Sequence, residues 1–172
     1  ERDEDFKLLS PRLEATQHYY DWATKSWHSK PCLVQIDTKP FAEGQTRFAY
    51  RMMDHSLPPG QQAAVCKRRK KYNEKQCYVD VEMQELCCAL AEDWNKLKPP
   101  KRIRFIKSYV LVCRDPFNSR GDEMTLTVEP LLRGRYLKHN NNVGYVPPRS
   151  RTTPQAFSHW TFEYTRGVLM VV

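Results

Sequence analysis

The chain has 172 residues, of which 40% are hydrophobic and 12% aromatic, and a formal net charge of +8. These values exclude a disordered chain and predict a domain with a real core. No apolar run approaches the roughly 18 residues of a membrane span, and the start ERDEDFKLL is no signal peptide, so we expect a cytoplasmic protein without membrane partners. The positive charge favours polyanions, whether nucleic acid, acidic protein surfaces or nucleotide phosphates, without choosing among them.

Six cysteines show neither a CxxC pair nor the Cys/His spacing of a zinc finger. We therefore predict no complete metal site from them and interpret them as small buried thiols in a reducing compartment. They are Cys32, Cys66, Cys77, Cys87, Cys88 and Cys113.

Residues 1–30 begin with an acidic stretch that leads into a predicted helix. The helix would start near Pro11, because apolar and aromatic residues recur after it at near-helical spacing. Its aromatic face would pack on the domain, or alternatively form a docking surface for a regulatory protein. The basic amphipathic pattern that such docking segments carry is absent from it.

The next stretch contains three predicted strands and two turns. CLVQID is the first strand, FAEGQTRFAYRM contains a turn at Gly44, and AAVCK ends at Lys67 after the SLPPGQQ turn. A turn glycine lets backbone N–H groups approach a phosphate, and the Arg47 guanidinium can donate two parallel bonds to phosphate oxygens. Lys67 ends an apolar segment and would be fixed on a strand, while residues 68–71 continue into solvent. A purely structural turn and a solvated basic run are the alternatives.

The clearest periodic element is a helix predicted from Asp80 to Leu97. Its apolar stripe recurs in steps of three and four residues, and Pro99-Pro100 terminates it. Asp80 stands at its predicted N-terminus, where it would act as a cap. Lys101 follows the prolines as a candidate surface lysine. A strand then ends near Cys113, a polar hairpin loop covers 114–123, and MTLTVEPLL returns as another strand.

The stretch from Thr125 to Glu163 combines an apolar run, a polar loop and a helix. Glu129 lies inside the β-prone run, where a carboxylate is costly to bury unless a ligand or partner occupies it. The loop contains Asn140, Asn141 and Asn142, and Thr153-Pro154 begins the helix as N-cap and first helical residue. His159, between aromatic residues, is a packed histidine or a support for a catalytic loop. GVLMVV, at 167–172, is predicted to be a buried strand.

Six stretches, in chain order, resemble the alpha-type (atypical) protein kinase family. They cover about 39–172 and read KPFAEGQTRFAY, AAVCK, DVEMQ, PPKRIRFIKSYVL, EPLLRGRYLKHNNNVGYV and TPQAFSHWTFEY. Each motif is weak alone, but their number and order make the resemblance specific.

The resemblance implies an α+β fold in which a kinase-like small lobe, a twisted antiparallel sheet with a bracing helix, binds ATP. The small lobe would span 31–128, after the N-terminal helical segment 1–30. A hinge with the first helix and strand of the second lobe would span 129–172.

The resemblance also implies a nucleotide site. Lys67, the catalytic lysine, would bridge the nucleotide phosphates together with Gly44 and Arg47. Asp80 and Lys101 belong to the same constellation by family position. Adenine would be bound at the hinge, where Glu129 accepts from the amino group through its carboxylate or backbone carbonyl and the backbone of Leu131 supplies a donor.

A serine/threonine protein kinase that transfers the γ-phosphoryl group of ATP to a protein substrate is the expected function. In the family, the strand that here reads GVLMVV continues into metal-binding, catalytic and zinc-binding segments, and this chain stops at Val172. We therefore expect the Mg²⁺ ligands and the Zn²⁺ module beyond Val172. The 172 residues alone would bind nucleotide weakly without turnover.

Two other functions compete with this prediction. A basic nucleic-acid-binding module would use KRRKK and PPKRIRFIK, and its affinity would fall steeply with salt. It is disfavoured because it explains neither Glu129 nor TPQAFSHW. A kinase-like scaffold without catalysis would act through its surface alone.

Overall fold

The computed structural model describes residues 11–141, 143–148 and 152–172. Within these residues the chain forms seven strands and two helices. In chain order they are β1 (Leu13–Asp21), β2 (Ser26–Ile36), β3 (Ala42–Glu43), β4 (Arg47–Asp54), β5 (Ala63–Arg69), α1 (Glu74–Lys96), β6 (Tyr109–Arg114), β7 (Glu123–Pro130) and α2 (Thr152–Tyr164).

The strands form one antiparallel sheet with the order β2-β1-β6-β7-β5-β4-β3. A further antiparallel pairing joins β2 to β4, with Val34 opposite Asp54 and Ile36 opposite Met52. It closes six strands into a barrel, and the short β3 lies beside β4 outside the ring. The predicted α+β fold with an antiparallel sheet is confirmed, and the sheet is closed rather than open.

Alternate residues of the six strands fill the barrel interior. Ile36, Met52, Leu111 and Leu126 are completely buried there. Burying such a side chain contributes roughly 1.5–3 kcal/mol relative to leaving it exposed. The strand predictions at CLVQID, FAYRM, AAVCK, YVLVC and MTLTVE are confirmed, because this alternation is visible in the sequence. The predicted turns between these strands are confirmed as well.

The helix predicted within residues 1–30 is wrong for the described part, which forms the β1–β2 hairpin. The aromatic residues that suggested a helical face instead pair across the two strands, with Tyr20 opposite Trp27 and their rings 5.3 Å apart. Aromatic residues favour strands when cross-strand neighbours are available. The Trp27 indole N–H also donates to Glu82 on α1 at 2.9 Å. Residues 1–10 lie outside the described part of the chain.

Helix α1 begins at Glu74, six residues before its predicted start. Its cap is Asn73, whose side-chain oxygen accepts the N–H of Gln76 at 3.1 Å. Asp80 therefore lies inside the helix, and its predicted role as a cap is wrong. Helix α1 ends at Lys96, within one residue of its predicted end. Lys98 adopts a left-handed conformation (φ 54°) just before the two prolines, which stops the helix there.

Three thiols, those of Cys32, Cys66 and Cys113, lie in the barrel interior. Burial raises the pKa of Cys32 to about 11 and that of Cys113 to about 12, from an ordinary 9.0. Their protonated forms stabilise the fold below pH 9, and this contribution is lost as pH rises from 9 toward these values.

We expect these three thiols to resist iodoacetamide at pH 8 in the folded protein and to react after denaturation, because the reactive species is the thiolate. Peptide mass spectrometry measures the modification at each cysteine. The free energy of unfolding should also decrease from pH 9 to pH 11. Rapid modification of Cys66 in the folded protein would contradict the prediction.

The described residues belong to two compact units. The first contains the chain up to Glu85 and Ile106–Leu131, and the second contains Leu86–Phe105 and Leu132–Val172. Helix α1 contributes its first half to one unit and its second half to the other. Residues 86–105, which the sequence prediction grouped with the small lobe, thus cluster with the later part of the chain. No helix in the described residues is long and apolar enough to cross a membrane.

The second unit has its own apolar cluster, centred on Leu90, Ala91 and Phe157. Trp94 of α1 contacts Phe157 edge-on, with the ring centres 5.8 Å apart. Helix α2 begins at Thr152, one residue before the predicted cap. The loop predicted before α2 is present, and the Asn140 amide donates to side chains of α2; Asn142 lies outside the described residues.

The segment 167–172, predicted to be a buried strand, pairs with no strand among the described residues. Two of its N–H groups are bound by hydroxyls of the preceding segment instead: Leu169 donates to Thr165, and Val171 donates to Thr161, both at 3.0 Å. Leu169 and Val171 pack against the apolar cluster, whereas Val168 is 85% exposed. The apolar run is therefore neither a strand nor buried in this structure, and only Leu169 and Val171 are partly buried.

Candidate functional site

Strand β5 brings two cations to one face of the barrel. Lys67 and Arg69 are two residues apart, so their side chains point to the same side, roughly 7 Å apart along the strand. On the neighbouring strand β4, Arg47 lies opposite Arg69. On the other neighbour, β7, Thr127 lies opposite Lys67 and places Glu129 on this face. We call this set, Arg47, Lys67, Arg69, Glu129 and Asp80 of α1, the cationic face.

The Lys67 ammonium forms an ion pair with the Glu129 carboxylate, with Nζ 2.7 Å from Oε1. Both side chains are slightly more than one quarter exposed. The sequence prediction required a ligand or partner for the Glu129 carboxylate, and the partner in this structure is Lys67. The predicted acceptance of the adenine amino group by Glu129, through its carboxylate or its backbone carbonyl, stays a prediction.

Asp80 holds two arginines at once. The Nη2 atoms of Arg47 and Arg69 both lie 2.7 Å from its Oδ2, and the Gln76 amide donates to Oδ1 at 3.2 Å. Asp80 reaches them from the second turn of α1, because the helix begins before it. The structure thus brings together Arg47, Lys67, Asp80 and Glu129, which the sequence predicted as site residues.

The cationic face keeps a surplus of positive charge. Three cations face two carboxylates, which leaves one positive charge in excess. The buried Nε atoms of Arg47 and Arg69 have no hydrogen-bond partner within the described residues. In a partly buried site such charges interact more strongly than in water. An anion such as the triphosphate of ATP fits this donor set.

Two backbone N–H groups near the predicted site are bound within the chain. The Gly44 N–H donates to the Arg47 carbonyl at 2.9 Å, and a Cβ at this glycine would meet only ordinary contacts. The Leu131 N–H donates to the Ala63 carbonyl at 3.1 Å, which continues the β5–β7 ladder. The roles of the Gly44 turn at the phosphates and of the Leu131 backbone at adenine stay predictions. Gly44 shapes the turn that leads to Arg47.

The prediction that residues 68–71 continue into solvent is wrong for Arg68 and Arg69, and Lys71 is exposed. Strand β5 extends to Arg69, so Arg68 points to the opposite face, with its guanidinium 4.7 Å from the centre of the Phe117 ring. Arg69 binds Asp80, and Lys70 is paired with Glu43. The sequence reasoning missed Arg69 as a site residue. Extending the two-residue alternation of the strand by one more step would have found it.

Lys101 belongs to the second unit. It lines a cavity of about 600 Å³ whose walls include Arg102, Arg104 and Lys138 and the start of α2. Its assignment to the nucleotide site stays a prediction.

His159, expected to be packed, is 71% exposed and lies 3.1 Å from Glu163. A single exposed pair of this kind contributes little to stability.

No group of three or more His, Cys, Asp or Glu side chains within the described residues is arranged to hold a metal ion. The Mg²⁺ ligands and the Zn²⁺ module expected beyond Val172 stay predictions.

Comparisons with known proteins extend the resemblance. The alpha-kinase family model matches residues 42–172. Myosin heavy chain kinase C of Dictyostelium discoideum is 39% identical over 155 residues, which cover 88% of this chain and 19% of that protein. Eukaryotic elongation factor 2 kinase of Mus musculus is 31% identical over 166 residues, covering 92% of this chain and 22% of that protein. The chain thus spans about one fifth of the length of these relatives.

Solved structures agree with the sequence comparisons. The alpha-kinase domain of myosin heavy chain kinase A in complex with AMPPCP superposes with a TM-score of 0.82 at 30% identity, covering 93% of this chain and 76% of that one. A structure of the same domain in complex with AMP gives a TM-score of 0.83 at 29% identity, covering 94% of this chain and 79% of that one. The fold is therefore that of an alpha-kinase catalytic domain. The chain belongs to the alpha-kinase family.

Proposed function

We propose that this protein is an ATP-dependent protein kinase that transfers the γ-phosphoryl group to serine or threonine residues of a protein substrate. The single observation that supports this function best is the cationic face, where Lys67 is fixed by Glu129 beside two arginines that share Asp80. Phosphoryl transfer depends mostly on positioning and on neutralising phosphate charge. Ammonium and guanidinium groups held on a rigid strand supply both.

Lys67 and Arg47 have distinct parts in this proposal. Lys67 donates to phosphate oxygens as a point charge, and Glu129 keeps it extended along the face. Arg47 offers a planar pair of donors to the phosphates. Asp80 pairs with both arginines in the absence of nucleotide and so holds them on the cationic face. Mg²⁺ bound with the nucleotide would neutralise phosphate charge, as the alpha-type kinase resemblance implies.

A cytoplasmic location belongs to the same proposal, because all six cysteines are free thiols, which a reducing compartment preserves. The regulatory partner predicted for the N-terminal segment would meet the β1–β2 hairpin instead of a helix. On that hairpin Tyr19 is 39% exposed and stacks on His28.

The contacts made by the basic run KRRKK do not favour the nucleic-acid function. It needs several cations of KRRKK to be available together, yet Arg68 stacks on Phe117 while Arg69 and Lys70 are bound to carboxylates. Lys67 is paired as well. An extended phosphate backbone would have to break these contacts one after another.

The test uses the full-length protein and γ-labelled ATP with Mg²⁺. Peptide libraries with one fixed serine, threonine or tyrosine serve as acceptors, at about 1 mM ATP because KM values reach that range. We expect label on serine and threonine peptides and none on tyrosine peptides. ATP binding without transfer would favour the scaffold, and the absence of both binding and transfer would overturn the proposed function.

A further inference from the structure

Arg69 is the most buried cation of the face, and the proposed function gives it no direct task. It lies on β5, the central strand of the face, between β4 and β7. Its side chain is 20% exposed, compared with 33% for Arg47, although both bind the same oxygen of Asp80. One guanidinium group is enough to neutralise the charge of the Asp80 carboxylate, so the second one has another role.

The two arginines differ in their access to a ligand. Arg47 is the first residue of β4, directly after the turn that contains Gly44. Arg69 is the last residue of β5, and its side chain is more deeply buried than that of Arg47. Arg47 is therefore the arginine that can turn toward a bound anion, and Arg69 is the one that stays on Asp80.

We propose that Arg69 is a positioning residue that keeps Asp80 neutralised when Arg47 turns from Asp80 to the phosphates of a bound nucleotide. The proposal rests on the proposed function of ATP binding. Without Arg69, a departing Arg47 would leave a partly buried carboxylate without a cationic partner, next to a polyanion. That arrangement is costly because the charge is desolvated and because like charges repel each other.

The remaining contacts of Asp80 support this division of roles. Gln76 donates to Oδ1 from one turn earlier on α1, which fixes the orientation of the carboxylate independently of Arg47. Arg69 has five N–H donors and binds Oδ2 through one of them, so it can take a second carboxylate contact when Arg47 leaves. The Asp80 carboxylate therefore keeps its position and a cationic partner while the nucleotide binds.

The test compares ATP with adenosine by calorimetric titration of the full-length protein. In R69Q, Arg47 has to remain on Asp80, so we expect ATP to bind about tenfold more weakly while adenosine binds as in the wild type. R69K, which restores the charge, should recover ATP binding to within about threefold. R68Q removes the same charge from the opposite face of β5 and should leave the ratio of the two affinities unchanged. R69M replaces R69Q if the glutamine variant does not fold.

A double-mutant cycle with D80N separates positioning from direct contact. If Arg69 acts by neutralising Asp80, adding R69Q to D80N, where that carboxylate charge is absent, should weaken ATP binding by less than twofold. A full tenfold loss in the D80N background would show a direct phosphate contact and overturn the proposal, as would R69Q binding ATP like the wild type. A wild-type protein that binds no ATP would refute the proposed function itself, whereas these outcomes refute only the role of Arg69.

Discussion

Replacing Lys67 by alanine is expected to reduce kcat/KM for ATP by at least 100-fold, which corresponds to about 2.7 kcal/mol of lost transition-state stabilisation. The reason is the position of this ammonium, held 2.7 Å from Glu129 on the central strand of the cationic face. Without it, Glu129 presents an unpaired negative charge where phosphates have to bind. The loss therefore combines a missing attraction with a new repulsion. Initial rates at varied ATP concentration measure it.

The matched control is Lys71→Ala, which removes the same charge from the exposed end of the basic run. We expect its kcat/KM to stay within twofold of the wild type. Equal effects of the two substitutions would contradict the assignment of Lys67. If both variants only reduced salt-dependent binding of RNA, each with a change of about one in the salt slope, the nucleic-acid function would be favoured instead.

The cationic face could be predicted in part because strand alternation is local. AAVCK and MTLTVE predict strands that carry Lys67 and Glu129, and the family resemblance selects Arg47 and Asp80. Which groups bind each other depends on register, however, and register is set by contacts far apart in the chain. The Lys67–Glu129 pair and the engagement of the Leu131 N–H both follow from the β5–β7 register.

The wrong predictions have equally specific causes. Tyr20 and Trp27 match a helical spacing, but their partners lie across a hairpin that the spacing does not reveal. The apolar stripe predicts a start of α1 at Asp80, whereas the helix begins at Glu74 after the Asn73 cap, which the stripe does not reveal. The 167–172 run is apolar enough for a strand, yet two of its N–H groups donate to threonine hydroxyls and not to a neighbouring strand.

Asp80→Ala should lower the free energy of unfolding by roughly 2–4 kcal/mol. Removing one partner of a buried ion pair costs about 3–5 kcal/mol, and the residual exposure of these side chains places the effect toward the lower end. The two arginines would then face each other without their shared carboxylate, and their buried Nε atoms are already unpartnered within the described residues. Urea denaturation followed by tryptophan fluorescence measures the change.

Asp93→Ala is the control on the same helix, because Asp93 pairs with the largely exposed Lys96. Such exposed pairs are worth up to about 1 kcal/mol, so its effect should be clearly smaller.

The decisive measurement adds inorganic phosphate. If the cationic face is an anion site, phosphate should stabilise Asp80→Ala more than the wild type, because the anion replaces the missing carboxylate between Arg47 and Arg69. Equal stabilisation of both proteins would show that the two arginines serve the fold and leave phosphate binding to Lys67.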